Sequence, residues 1–160
     1  MHIWTINKWE KNLKDINGRR TGLRLIIDKN VDNDISTACK SFTKWLRREY
    51  SFPLRVPVYI KGTRYVKTMD GDLVVGSFFE PDDFSVEPYI RLATGDYAEL
   101  LDSEGKDNAI ASILLSLAHE LTHYFQWING LELTPIGRER QATLYSHYII
   151  DEYSETCEHP

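Results

Sequence analysis

The sequence predicts an α+β domain. Three observations predict it. Short runs of branched aliphatic and aromatic residues lie between turn signals, one amphipathic helical segment falls among them, and two long helical segments close the chain. The length of 160 residues suits one hydrophobic core and is too short for two ordinary ones.

Taken in order, residues 1–22 form an N-terminal extension in which "IWTINKW" carries Trp4 and Trp9. This segment packs on the sheet or covers a cleft. "LRLIID" (23–28) reads as a strand and ends at the polar cluster "DKNVDND". Asp34 is placed to cap the next segment. From Ile35 to Tyr50 the apolar residues Ile35, Ala38, Cys39, Phe42, Trp45 and Leu46 recur at three and four, which predicts a helix. "RVPVYI" (55–60), "TRYVKT" (63–68) and "LVVGSFF" (73–79) read as short strands, with Gly62 and Asp70-Gly71 at the turns. "EPDDFSVEP" (80–88) is a loop, and "YIRLATG" (89–95) alternates as a fourth strand of this group. The expected sheet is small, twisted and mostly antiparallel.

Asp107 or Asn108 starts a long helix with the stripe Ile110, Ile113, Leu114, Leu117, Leu121 and Phe125. Asn129-Gly130 is its natural stop. Pro135 opens a last helix that carries Leu144, Tyr148 and Ile149 and runs to about Tyr153. The whole chain, 1–160, reads as one domain, with a helix-and-sheet part over 23–95 and a helix pair over 107–153.

Composition narrows the function. Apolar residues make up 42% and charged residues 27%, as in ordinary globular proteins. The net charge of −5 argues against nucleic acid as a partner. The small basic clusters Arg19, Arg20, Arg24 and Lys44, Arg47, Arg48 read as solvated surface. Cys39 and Cys157 are the two cysteines, far apart, and predict reduced thiols rather than a disulfide framework. The N-terminus lacks the pattern of a secretory signal, and no apolar run approaches a membrane span. A cytoplasmic protein without a membrane partner is expected.

The chemistry sits in "AHELTHYFQW", residues 118–127. His119 and His123 are one helical turn apart and leave the same side of the helix. With His119 at zero and about 100° per residue, His123 falls near 40° and Gln126 near −20°. Ile113, Leu117, Leu121 and Tyr124 fall on the opposite side. Two neutral imidazoles with a carboxylate beside them suit a hydrolytic zinc site, Glu120 being placed to accept a proton from water. A catalytic zinc needs a third protein ligand. The positions where a third histidine would follow at short spacing hold Gln126 and Asn129. A carboxylate from the next helix is the alternative. Glu139 lies sixteen residues after His123, and Ala142 three residues further on is small enough for a close helix contact. Glu132 is nearer, but in the connecting loop.

"HELTHYFQW" followed by "ERQAT" resembles the gluzincins, in particular the minigluzincins and ImmA/IrrE-type peptidases, whose pattern is H-E-x-x-H plus a downstream E-x-x-A. The resemblance implies a zincin-like fold, with an N-terminal helix, an active-site helix and a C-terminal helix bearing the ligand glutamate. It implies Zn2+ on His119, His123 and Glu139, with Glu120 as general base. It is specific over 108–153 and only architectural over 23–95. Two departures stand out: Thr122 replaces a frequent glycine, and Thr143 stands where many gluzincins hold an acidic residue. The resemblance also implies that substrate lies along the edge strand before the active-site helix, which points to "YIRLATG".

A zinc peptidase acting on a peptide or protein, a regulatory protein among the possibilities, is the leading expectation. The oxyanion needs a further donor, for which Tyr145, His147, Tyr148 and Tyr153 are available, His147 and Tyr148 first. The alternatives are a zinc-binding interaction or regulatory module that cleaves nothing, and a helix pair without metal. The tail "EYSETCEHP" adds Cys157, Glu158 and His159, which are metal-capable but read first as a solvated end.

Overall fold

The computed structural model describes residues 2–156. In chain order the elements are α1 (Trp9–Leu13), β1 (Leu23–Ile27), α2 (Asn33–Glu49), β2 (Val56–Lys61), β3 (Val66–Lys67), β4 (Leu73–Val74), β5 (Gly76–Phe79), β6 (Tyr89–Ala93), α3 (Tyr97–Glu104), α4 (Lys106–Ile128) and α5 (Pro135–Ser154). The α+β expectation holds. No helix among the described residues is long and apolar enough to cross a membrane.

The sheet is mixed rather than mostly antiparallel. Its order is β1-β2-β6-β5. β1 with β2 and β2 with β6 are parallel, and only β5 with β6 is antiparallel. The first parallel pair arises from α2, which carries the chain back across the sheet between β1 and β2 and so returns it in the same direction. The turn signals after β2 do not fold the chain back onto β2. Asp70-Gly71 instead closes a separate small hairpin, β3–β4, where Gly71 takes a φ of +86° that favours glycine. Two expected strands are shorter than predicted: 63–68 shrinks to Val66–Lys67, and 73–79 breaks at Val75 into β4 and β5. A consequence concerns the sheet edge. β6, expected as the edge strand, is interior, and β5 is the edge beside α4.

The core lies between the sheet and the helices. Val56, Val58, Ile60, Ile90 and Leu92 face it from β2 and β6. All six apolar residues of the α2 stripe are buried, as their period requires. The α2 cap is Asp32 rather than Asp34, since the Asp32 carboxylate accepts the Asp34 N–H at 2.8 Å. Cys39 lies within this core, and burial pushes its thiol up to about 12. The sequence pattern does not predict α3. Its apolar periodicity is weak, and Tyr97 is its one buried residue.

The N-terminal segment does not cover a cleft. It wraps the back and the C-terminal end of α4. The Trp4 indole N–H donates to Thr122 Oγ1 at 3.1 Å. Trp9 N–H donates to Asn129 Oδ1 at 3.0 Å, and the Asn12 amide donates to the Ile128 carbonyl at 2.9 Å. The last of these bonds satisfies a carbonyl at the end of α4 that would otherwise need water. The first gives Thr122, a departure from glycine, a buried role.

Candidate metal centre

The site begins with the rotation of α4 about its axis. Leu117, Leu121 and Tyr124 are fully buried on one face. The Tyr124 hydroxyl donates to the Leu54 carbonyl at 2.6 Å and accepts from Leu54 N–H at 3.1 Å, which pins that face to the segment before β2. The Trp127 indole N–H donates to the Pro81 carbonyl at 3.1 Å, in the loop after β5. With that face fixed, His119 and His123 turn toward α5.

α4 stops in a Schellman motif. Leu131 N–H bonds the Gln126 carbonyl at 3.0 Å and Gly130 N–H bonds the Trp127 carbonyl at 2.9 Å. Gly130 takes the required left-handed backbone, φ +63°. The chain reverses, Thr134 caps α5 through Gly137 N–H at 3.0 Å, and α5 runs back along α4. The residues that α5 buries are Ala142, Ser146, Ile149 and Tyr153. Leu144 and Tyr148, which the sequence reading places on this helix with Ile149, are 68% and 50% exposed. Small side chains at 142 and 146 let the helices approach closely, and hydrophobicity alone points to the wrong residues.

Close approach places Glu139 between the two histidines. His119 Nε2 is 3.1 Å from Glu139 Oε2, and His123 Nε2 is 3.1 Å from Glu139 Oε1. One ligand atom from each of the three side chains lies within 4.8 Å of the others. Two ligands each about 2.0–2.1 Å from a tetrahedral zinc stand roughly 3.3 Å apart, so the observed N···O spacing fits that ion. Two imidazoles and a carboxylate are also a donor set that suits it. Burial lowers the affinity of His123 for a second proton, which favours the neutral ring that can ligate. Glu132 is outside the cluster. Cys157, Glu158 and His159 lie outside the described residues.

Glu120 stands beside this cluster and is 8% exposed. Burial, and then the charge of Glu139, pushes its carboxyl up to about 7, while Arg138 pulls the other way. Its stem packs on Gly76 of β5. A Cβ at position 76 would lie 3.2 Å from Glu120 Cγ and 3.4 Å from Oε2, so a glycine is what lets the carboxylate lie against the edge strand. The sequence carries that signal as an isolated glycine in a strand pattern, which often marks a close approach.

A cleft of about 340 Å³ opens here between β5 and the helix pair, lined in part by Gly76, Ser116, His119, Glu120, Thr143 and His147. His147 is thus in the cleft, two turns along α5 from Glu139. Tyr148 is not. At about 100° per residue it leaves α5 on the side opposite Glu139, and its ring packs edge-on to His2 with centroids 5.1 Å apart. Tyr145 also packs its ring against His2, and Tyr153 is buried in the core. Of the four candidate oxyanion donors, only His147 lines the cleft. Gln126, set aside in the sequence as a missing third histidine, is 2% exposed, and its side-chain oxygen is 2.8 Å from His123 Nδ1.

The chain matches no family model, no curated protein and no solved structure, so the candidate site rests on its own geometry.

Proposed function

We propose that this protein is a zinc-dependent peptidase of gluzincin type on a zincin-like fold. The observation that carries the reading is the convergence of His119, His123 and Glu139 from two helices, with the buried carboxylate of Glu120 beside them. Zinc held there supplies a Lewis acid that activates water and polarises a carbonyl. Glu120 accepts the proton of the attacking water and returns it to the leaving amine. Its carboxylate, buried beside the cluster, is placed for both steps. His147, on the cleft wall, is the candidate donor to the oxygen that gains negative charge.

The sheet edge supports a peptide as substrate. Ala93 N–H bonds the Val75 carbonyl at 2.7 Å. By antiparallel alternation, Val75, Ser77 and Phe79 turn their backbone groups to β6, and Gly76 and Phe78 turn theirs outward. An extended peptide adding to this edge would cross the cleft beside Glu120. β5 thus takes the place expected of β6.

Elemental analysis of wild type and Glu139→Ala, purified without added metal, tests the reading. One zinc per chain in wild type and little in the variant is expected. Cleavage of a peptide library should then disappear in Glu120→Gln while zinc remains. Unchanged cleavage in that variant removes Glu120 as the base. Zinc without cleavage of any peptide by wild type favours a binding or regulatory module instead. No zinc after reconstitution ends the enzyme reading.

A further inference from the structure

We infer that Gln126 is a positioning residue that fixes the tautomer of His123 and ties that ring to the helix carrying Glu139. The inference rests on the proposed metal centre, and it assigns a role to a side chain outside the ligand set. Gln126 lies on the histidine face of α4, one turn beyond His123, and is almost fully buried. Its amide makes three contacts: Oε1 to His123 Nδ1 at 2.8 Å, Nε2 to the Arg138 carbonyl at 3.0 Å, and Nε2 to Gln141 Oε1 at 3.0 Å.

These contacts determine which end of the amide is which. The Arg138 carbonyl can only accept, so the group facing it must be the NH2. The opposite end, facing His123, is then the carbonyl oxygen. An acceptor at 2.8 Å requires a hydrogen on His123 Nδ1. Arg138 Nε also approaches Nδ1, at 3.3 Å. That longer contact needs a bare Nδ1 and a flipped amide, which would set two carbonyl oxygens against each other at 3.0 Å. The Gln126 bond therefore sets the proton on Nδ1.

With its hydrogen on Nδ1, the neutral ring presents a lone pair at Nε2, the atom 3.1 Å from Glu139 Oε1. Two acceptors facing each other at that distance are unfavourable until a cation lies between them. The Gln126 bond offsets that cost and holds the ring in the ligating form before metal arrives. The two bonds donated to Arg138 and Gln141 reach the first turns of α5, on either side of Glu139. One buried amide therefore sets the second histidine and registers the helix of the third ligand.

The test is long-range 1H–15N NMR of the histidines in metal-free protein, paired with zinc affinity. Wild-type His123 should carry its hydrogen on Nδ1. Gln126→Met removes the acceptor at similar volume. The ring should then shift toward the Nε2–H form, bonded to Glu139, and zinc should bind about 10- to 100-fold more weakly. An Nε2–H ring in wild type overturns the inference, and this measurement needs no variant to fold. An unchanged tautomer and zinc affinity in folded Gln126→Met also overturns it. A wild type that binds no zinc defeats the metal centre, while the tautomer still decides what Gln126 does.

Discussion

Replacing Glu120 with glutamine should change how the stability of the metal-free protein depends on pH. The carboxyl is 8% exposed and keeps its proton up to about 7 instead of 4.5, with burial as the first cause. Between those two values the unfolded chain has lost this proton and the folded chain has kept it. Folding then favours the protonated side chain, and stability falls as pH rises through the window. The contribution is fully present below 4.5 and is lost as pH passes about 7. At about 1.4 kcal/mol per unit, the interval corresponds to roughly 3 kcal/mol. Glutamine carries no titrating proton and contributes no such slope. His123 acts in the opposite direction, because burial lowers its pKa and acid therefore reduces stability. Both proteins share that effect, so their difference isolates Glu120. The assay is urea unfolding of both in a chelator, from about pH 4.5 to about pH 8.5, a range that brackets the window. Wild type should lose about 3 kcal/mol relative to Glu120→Gln across the range. Parallel curves would refute the argument that this carboxylate is buried at the expense of its charge.

Gly76→Ala should leave zinc content unchanged and lower any peptide cleavage about 10- to 100-fold, because the added methyl presses on the Glu120 stem and shifts its carboxylate. A steady-state assay on zinc-loaded protein reads this directly. His147→Ala should reduce kcat with zinc retained, whereas Tyr148→Ala, on the other side of α5, should leave kcat unchanged. The reverse pattern would return Tyr148 to consideration as the oxyanion donor. Tyr124→Phe removes the hydroxyl that bonds both backbone groups of Leu54. Chemical denaturation should show a loss of about 1–3 kcal/mol, because Leu54 N–H and C=O are left without their partner.

Local features follow from residue spacing alone. The alternation and helical periods placed β1, α2, β2, β6, α4 and α5 within a few residues, because side-chain direction depends directly on backbone period. The four-residue spacing of His119 and His123 set both rings on one helix face, and the small residue at 142 marked where a second helix could come close. Packing sets what depends on neighbours distant in sequence. The direction of each strand pairing is a property of the chain's route, so the mixed sheet and the edge position of β5 were not legible from strand patterns. Burial on α5 tracked close packing at Ala142 and Ser146 rather than hydrophobicity, which turned Leu144 and Tyr148 outward. Gly76 under Glu120 and Gln126 behind His123 are contacts between elements or across a helix turn, and neither shows in composition. Residue spacing fixes which way a side chain leaves its own element. Only the packing of one element on another fixes what it meets there.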